Sequence, residues 1–132
     1  MTVIAPTHNC FDDAADYLNA VALGGDREEL ERVRLAHGII RFPDDQPNGG
    51  RRAAHAWVED GDAVIDAGLL DGQRVNVLWP RHEFYRRLRV EAVTYYTARE
   101  LLDHTDAHGY VGPWRADLRA LIRTPEDRAS DV

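Results

Sequence analysis

Residues 53–67, AAHAWVEDGDAVIDA, decide the fold of this chain, because they have the pattern of a tight β-hairpin. Apolar and β-branched residues flank the dipeptide Asp60-Gly61, which supplies the positive backbone angles that a two-residue type I′ turn requires. Pairing outward from this turn predicts that His55 lies directly opposite Asp66. Directly opposed side chains are about 4.5 to 5.5 Å apart at Cβ. The hairpin therefore predicts a hydrogen bond between an imidazole and a carboxylate.

Helix and strand patterns alternate along the rest of the chain, without a repeat or an internal linker. Helices are expected over residues 10–22, 26–34, 80–88, 97–104 and 114–123, and strands over 39–42, 74–79 and 90–95. Asp26 with Glu29 and Thr97 with Glu100 form capping-box patterns at two of the helix starts. This order predicts an α+β fold, in which the N-terminal helix packs on a mainly antiparallel sheet with additional helices around it.

Length and composition indicate an ordinary globular protein of 132 residues, with 44% hydrophobic and 30% charged residues. We expect a single domain over residues 1–123 and a polar C-terminal tail over 124–132. The net charge of −7 argues against nucleic acid as the main partner. No apolar run approaches 18 residues and no basic-then-apolar leader is present, so we expect neither a membrane span nor secretion. The single cysteine excludes an internal disulfide and fits the reducing cytoplasm.

That cysteine, Cys10, stands where the first helix is expected to begin. A helix N-terminus carries partial positive charge and free backbone N–H groups, so it favours a thiolate and offers donors to an oxyanion. Asp12 and Asp13 in the same turn oppose a thiolate, each by about 0.3 to 1 kcal/mol. A neighbouring imidazolium lowers a cysteine pKa by several units, each of about 1.4 kcal/mol, and so has the larger effect.

The residues therefore suggest a catalytic triad. In this hypothesis Cys10 is the nucleophile, His55 takes its proton and returns it to the leaving group, and Asp66 orients His55. The backbone N–H of Cys10, with Asn9 or His8, would stabilise the oxyanion. The alternatives are a buried structural cysteine and a structural His-Asp hydrogen bond.

Several aromatic residues and histidines are candidates for binding substrate. Trp57 is expected on the same hairpin face as the dyad, either as core filling or as a wall that keeps water from the imidazole. His37, next to Gly38, is a possible contributor from a loop. The turn over residues 109–114, with Trp114 and the nearby Tyr96, is either a rigid closing of the chain or one rim of a cleft.

Two groups of residues also have the chemistry of metal ligands. His104 and His108 are four residues apart on an expected helix, although a helix C-terminus favours cationic histidines in any case. His8, Cys10, His55 and Asp66 together have the ligand types of a tetrahedral site. We prefer the hypothesis of a catalytic triad to that of a metal site, so we expect no metal and no cofactor.

The segment NCFDDAADYL followed by AAHAWVEDGDAVID resembles the transglutaminase-like branch of the papain-like cysteine-enzyme superfamily. The Cys, His and Asp positions of that family fall here on Cys10, His55 and Asp66. The leader peptidases of lasso-peptide biosynthesis have a similar small core. The chain also resembles small uncharacterised bacterial and phage proteins that carry HG, HAWVE, VID, YT and GPW motifs over about nine tenths of its length.

The resemblance implies a papain-like core and a thiol hydrolase or acyltransferase that acts on a peptide or amide bond through a thioester. The segment between Cys10 and His55 is shorter than in large transglutaminases and has no likeness to their calcium sites, so glutamine-lysine cross-linking is not implied. A non-catalytic module that binds a protein or a metal on the same fold is the alternative. A peptide or protein substrate is the expected partner. A third alternative is that a partner protein or a second copy of the chain completes the cleft, since so short a chain leaves little surface for a deep pocket.

Overall fold

The protein is described here by a computed structural model, which covers residues 4–6, 10–46, 49–71 and 73–122. The strands are β1 (Ile4–Pro6), β2 (Val33–Arg41), β3 (Arg52–Asp60), β4 (Ala63–Leu70), β5 (Gln73–Pro80) and β6 (Glu91–Tyr96). The helices are α1 (Cys10–Gly24), α2 (Arg27–Arg32), α3 (Arg81–Arg87), α4 (Ala98–His108) and α5 (Ala116–Arg119). The α+β prediction is confirmed. The expected tail over 124–132 lies outside the described residues.

The six strands form one sheet in which every pair is antiparallel. Its order is β1-β4-β3-β2-β6, and β5 pairs with β4 in addition. Since β5 pairs with the whole length of β4, β1 and β3 share the opposite edge of that strand. On this edge β3 pairs with residues 63–65 and β1 pairs with residues 68–70. Asp66 and Ala67 lie in the gap between these two partners.

The hairpin between β3 and β4 exists, but its predicted register is wrong. Asp60 pairs with Ala63, so the two loop residues are Gly61 and Asp62 rather than Asp60 and Gly61. Gly61 has a φ of 61°, whereas Asp62 does not have a positive φ. A positive φ at the first loop position alone is the geometry of a type II′ turn, since a type I′ turn requires it at both positions. The sequence DGD allows both turns, and the tertiary structure selects the second.

The corrected register shifts every pair by two positions. Val58 pairs with Ile65, and His55 is therefore not directly opposite Asp66. Side chains on a strand alternate between the two faces with a period of two residues, so a shift of two positions leaves each side chain on its predicted face. His55, Trp57 and Asp66 consequently still share one face of the sheet.

Substitution of Gly61 tests the left-handed backbone conformation at this position of the turn. We expect Gly61→Ala to lower the free energy of unfolding by about 1 to 2 kcal/mol, because alanine is strained in the left-handed region. Asp62→Ala is the matched control and should change it by less than about 0.5 kcal/mol. Urea unfolding followed by far-ultraviolet circular dichroism measures both. Equal losses in the two variants, or none in Gly61→Ala, would contradict the positive φ of Gly61.

The strand β2 is longer than predicted, because residues 33–38 are strand rather than helix and break. Gly38 does not interrupt the strand. It pairs with His55 in register, and a Cβ atom added to it would lie 2.9 Å from Cη2 of Trp57. The glycine therefore makes room for an indole ring that the local sequence pattern does not reveal.

The C-terminal helices also differ from the expectation. The helix that starts after Thr97 continues to His108, and Gly109 with a φ of 82° ends it. The last helix covers only Ala116–Arg119 rather than residues 114–123. The capping box of Thr97 with Glu100 is complete, and Asp26 accepts a hydrogen bond from the backbone N–H of Glu29 at 2.7 Å.

Two apolar clusters cover the two faces of the sheet. The α1 face holds the larger cluster, which includes Cys10, Phe11, Ala14, Leu18, Leu35, Val58, Tyr96 and Leu101. The α3 face holds Ala36, Ile40, Trp57, Val64 and Phe84. Across the described ranges, we find no helix with the length and apolar character needed to cross a lipid bilayer.

Candidate functional site

The gap on the edge of β4 brings Cys10, His55 and Asp66 together. Asp66 lies in the gap itself, and His55 lies on β3 beyond Val58, where the pairing with β4 ends. β1 pairs with the same edge of β4 from Gly68 onward, and Cys10 follows the last residue of β1 by four positions. The start of α1 is thereby held next to the two residues of the dyad.

His55 and Asp66 are hydrogen-bonded, as the hairpin predicted. Nε2 of His55 lies 2.8 Å from Oδ1 of Asp66, and the two side chains are 4% and 18% exposed. Cys10 also acts on His55, since its charge and its side chain both favour the protonated imidazole. Since Asp66 occupies Nε2, Nδ1 is the nitrogen that is left for the sulfur. The three residues therefore form a series from thiol to imidazole to carboxylate.

The environment of His55 favours its charged form. Burial by itself lowers the pKa of His55, but the charges of Asp66 and Cys10 and the hydrogen bonds to both outweigh burial and raise it well above the ordinary value. Stability from these contacts is full below the unfolded pKa of about 6.5 and is lost as the pH rises through the folded pKa. The geometry is suited to holding a thiolate beside an imidazolium.

The expected repulsion from the first turn of α1 is reduced by an ion pair. Oδ1 of Asp13 lies 2.9 Å from Nη1 of Arg74 on β5, and the Asp13 side chain is only 6% exposed. Asp12 is exposed. The ion pair also fixes the start of α1 against the sheet, on the same helix turn as Cys10.

Trp57 both fills the core and covers the imidazole of His55. Its side chain is fully buried, so it fills the core of the α3 face. Its indole also stacks on the imidazole of His55, with the ring centroids 5.8 Å apart and the planes inclined by 26°. The ring therefore covers one side of the imidazole and shields it from water.

His37, Tyr96 and Trp114 are brought together, but not with the dyad. His37 lies in the middle of β2 rather than in a loop, and it pairs with Ala56, whose side chain points to the face opposite that of His55. The imidazole of His37 is within 5.2 Å, centroid to centroid, of the rings of Phe11, Tyr96 and Trp114. These residues form an aromatic cluster behind the start of α1.

The first candidate metal group consists of two stacked rings, and the second includes His8, which the structure does not describe. His104 and His108 stack with their ring centroids 5.8 Å apart and also stack on Trp114. In the ranges that the structure covers, three or more side chains able to ligate a metal do not converge anywhere. His8 and Asn9, the expected oxyanion contributors, lie outside the described residues.

The sequence reasoning missed Glu59, a buried carboxylate beside the site. Oε2 of Glu59 accepts a hydrogen bond from Nε1 of Trp57 at 2.9 Å, and Oε1 accepts one from Nε of Arg81 at 2.8 Å. A signal for it was present, because His55, Trp57 and Glu59 alternate along β3 and so share a face. The partner Arg81 lies 22 residues away, and local patterns do not predict such a contact.

We compared the chain with known protein families, with curated proteins and with solved structures, and none of the three comparisons finds a match.

His37 makes stability depend on pH with the opposite sign from His55. Burial, followed by the charges of Arg115 and His104, lowers the pKa of His37 to about 3. Neither ring nitrogen has a hydrogen-bond partner among the described residues. The unfolded chain therefore binds a proton first, and stability that is full above the unfolded pKa of about 6.5 is lost as the pH falls towards 3.

The substitution His37→Phe should remove this loss of stability at low pH, since phenylalanine fills the aromatic cluster without a titrating group. We expect the slope of unfolding free energy against pH between about 4 and 6 to fall by up to about 1.4 kcal/mol per pH unit in His37→Phe. His82→Phe, at an exposed position, should retain the parent slope. Urea unfolding across this pH range measures all three proteins, and equal slopes would show that His37 does not titrate as described.

Proposed function

We propose that this protein is a thiol hydrolase or acyltransferase that acts on a peptide or amide bond through a thioester at Cys10. The observation that carries the proposal is the hydrogen bond between His55 and Asp66, together with the interaction of the same imidazole with Cys10. Cys10 is the first residue of a 15-residue helix. A papain-like, transglutaminase-like core is part of the proposal. It is supported by the packing of the cysteine-bearing helix on an antiparallel sheet that holds the histidine and the aspartate.

The chemistry follows from the order of the three groups. The thiolate of Cys10 attacks the carbonyl carbon, and the oxyanion of the tetrahedral intermediate is stabilised by backbone N–H groups at the start of α1. The His55 imidazolium gives its proton to the leaving amine, and the C–N bond breaks to leave a thioester. Neutral His55 then takes a proton from water or from an acceptor amine, which attacks the thioester and releases Cys10. Asp66 keeps Nε2 of His55 hydrogen-bonded throughout.

The partner and compartment are proposed on the same basis. A peptide or a protein is the substrate class whose amide bond this chemistry opens. The protein works in the cytoplasm, since a lone thiol that must ionise stays reduced there.

A non-catalytic protein-binding module is the second candidate, and the burial of Cys10 favours it. The residue is only 7% exposed, whereas attack on a substrate requires access to the sulfur. In this alternative the contacts among Cys10, His55 and Asp66 hold the start of α1 in place and support a binding surface.

Alkylation of Cys10 by iodoacetamide at a series of pH values separates the two candidates, and the single cysteine makes the label specific. If the proposal is correct, the parent protein reacts well below the ordinary thiol pKa of about 8.5, because the thiolate is held by His55. In His55→Ala the low-pH reaction should fall by at least about tenfold, since one pKa unit corresponds to a tenfold change in thiolate.

His82→Ala is the control, because it removes an exposed histidine outside the site. It should react as the parent protein does. Slow labelling with an ordinary thiol profile in all three proteins would exclude the catalytic proposal and favour the binding module. A parent-like profile in His55→Ala would show that the imidazole does not activate the sulfur.

A further inference from the structure

The face of β3 that carries His55 continues as a row of three contacting side chains. Trp57 follows His55 by two residues and stacks on it, and Glu59 follows Trp57 by two residues and accepts its indole N–H. Glu59 is 6% exposed, and a buried carboxylate is costly unless hydrogen bonds surround it. We therefore examined which contacts stabilise the buried carboxylate of Glu59 and what these contacts hold in place.

Three donors hold the Glu59 carboxylate. Besides Trp57, they are Nε of Arg81 at 2.8 Å and the hydroxyl of Tyr85. The guanidinium of Arg81 lies over the ring of Tyr85 at 4.8 Å, which joins two of the donors to each other. The carboxylate is thus fixed from the α3 side and presents Oε2 to the indole.

The indole of Trp57 is confined at its other end as well. A Cβ atom at Gly38 would lie 2.9 Å from Cη2 of the indole, and the ring of Phe84 packs against it at 5.2 Å. With Glu59 bonded to Nε1, rotation of the indole about its side-chain bonds is blocked. Its face is therefore kept against the imidazole of His55.

An aromatic face attracts a cation that lies within about 6 Å of its centroid, and most strongly for tryptophan. The separation of 5.8 Å between Trp57 and His55 meets this condition. Among the described residues, the charged groups that act on His55 are Asp66 from β4 and Cys10 from α1, and both favour the cation. We propose that Glu59 is a positioning residue, which holds Trp57 so that its indole face stabilises the His55 imidazolium.

The catalytic importance of this role rests on the proposed function. The effect of Glu59 and Trp57 on the protonation of His55 is tested separately. Glu59→Gln weakens the contacts that fix Trp57, because it removes the charge and puts an NH2 donor in place of one acceptor oxygen. That donor then faces either Nε of Arg81 or the N–H and O–H of Trp57 and Tyr85. Trp57→Phe keeps a ring and removes the donor. Gly38→Ala displaces the indole from its other end and leaves every hydrogen-bonding group in place.

The primary measurement is the titration of the His55 ring protons by nuclear magnetic resonance. We expect each of the three variants to lower the midpoint by about 0.5 to 1 pH unit, the size of a partly desolvated cation–π contact. In the double variant Glu59→Gln, Trp57→Phe the shift should not exceed the larger single shift by more than about 0.3 unit, since both changes remove the same contact. Iodoacetamide labelling below about pH 7 should slow about threefold to tenfold in the same variants.

Tyr95→Phe is the matched control. Its hydroxyl bonds to Arg81 and Tyr85 at the outer end of the network, and among the described contacts it does not touch Glu59 or Trp57. It should leave the His55 midpoint unchanged, whatever it does to the melting temperature.

A fall in melting temperature with an unchanged His55 midpoint in Glu59→Gln and Gly38→Ala would overturn the proposal and leave Glu59 a structural role. Additive shifts in the double variant would overturn it too. Failure of the proposed function looks different, because Cys10 would then label alike in the parent protein and in His55→Ala, while the His55 titration would still decide the role of Glu59.

Discussion

The edge of β4 that faces β3 is shared by two strands, and the arrangement of the site depends on this sharing. β3 pairs with it at one end and β1 at the other, which leaves Asp66 and Ala67 between them. If β3 paired with β4 along this whole edge, there would be no room for the start of α1 beside Asp66. Because the ladder stops, the thiol of Cys10 reaches an imidazole whose far nitrogen is already bonded to Asp66.

Two histidines on neighbouring strands illustrate how surroundings decide charge. His55 and His37 are both almost fully buried, and burial disfavours the charged form of each. His55 has a carboxylate and a sulfur as partners, so its pKa rises. His37 has aromatic neighbours and no hydrogen-bond partner in the described part of the chain, so its pKa falls. The same residue type thus serves as a charged group on one face of the sheet and as core filling on the other.

Local patterns predicted the start of α1, both capped helix starts and the existence of the central hairpin. They also placed His55, Trp57 and Asp66 on one face, because alternation along a strand does not depend on the register. These patterns gave wrong predictions where the local sequence fits two different backbone structures equally well. DGD allows two neighbouring turns, and the spacing of apolar residues around Val33 fits a helix as well as the strand that forms. Contacts between distant segments decided these cases, as with Trp57 beside Gly38.

The sequence by itself determined the α+β class, the hairpin and the face on which the dyad lies, because these follow from the chemistry and spacing of neighbouring residues. Only the tertiary structure decided the register, the gap in the β4 ladder and the carboxylate of Glu59 behind Trp57. Each of these depends on residues far apart in the chain, such as β1 with β4 and Glu59 with Arg81. Contacts of this kind form only when distant segments come together in the folded protein, so no local pattern predicts them.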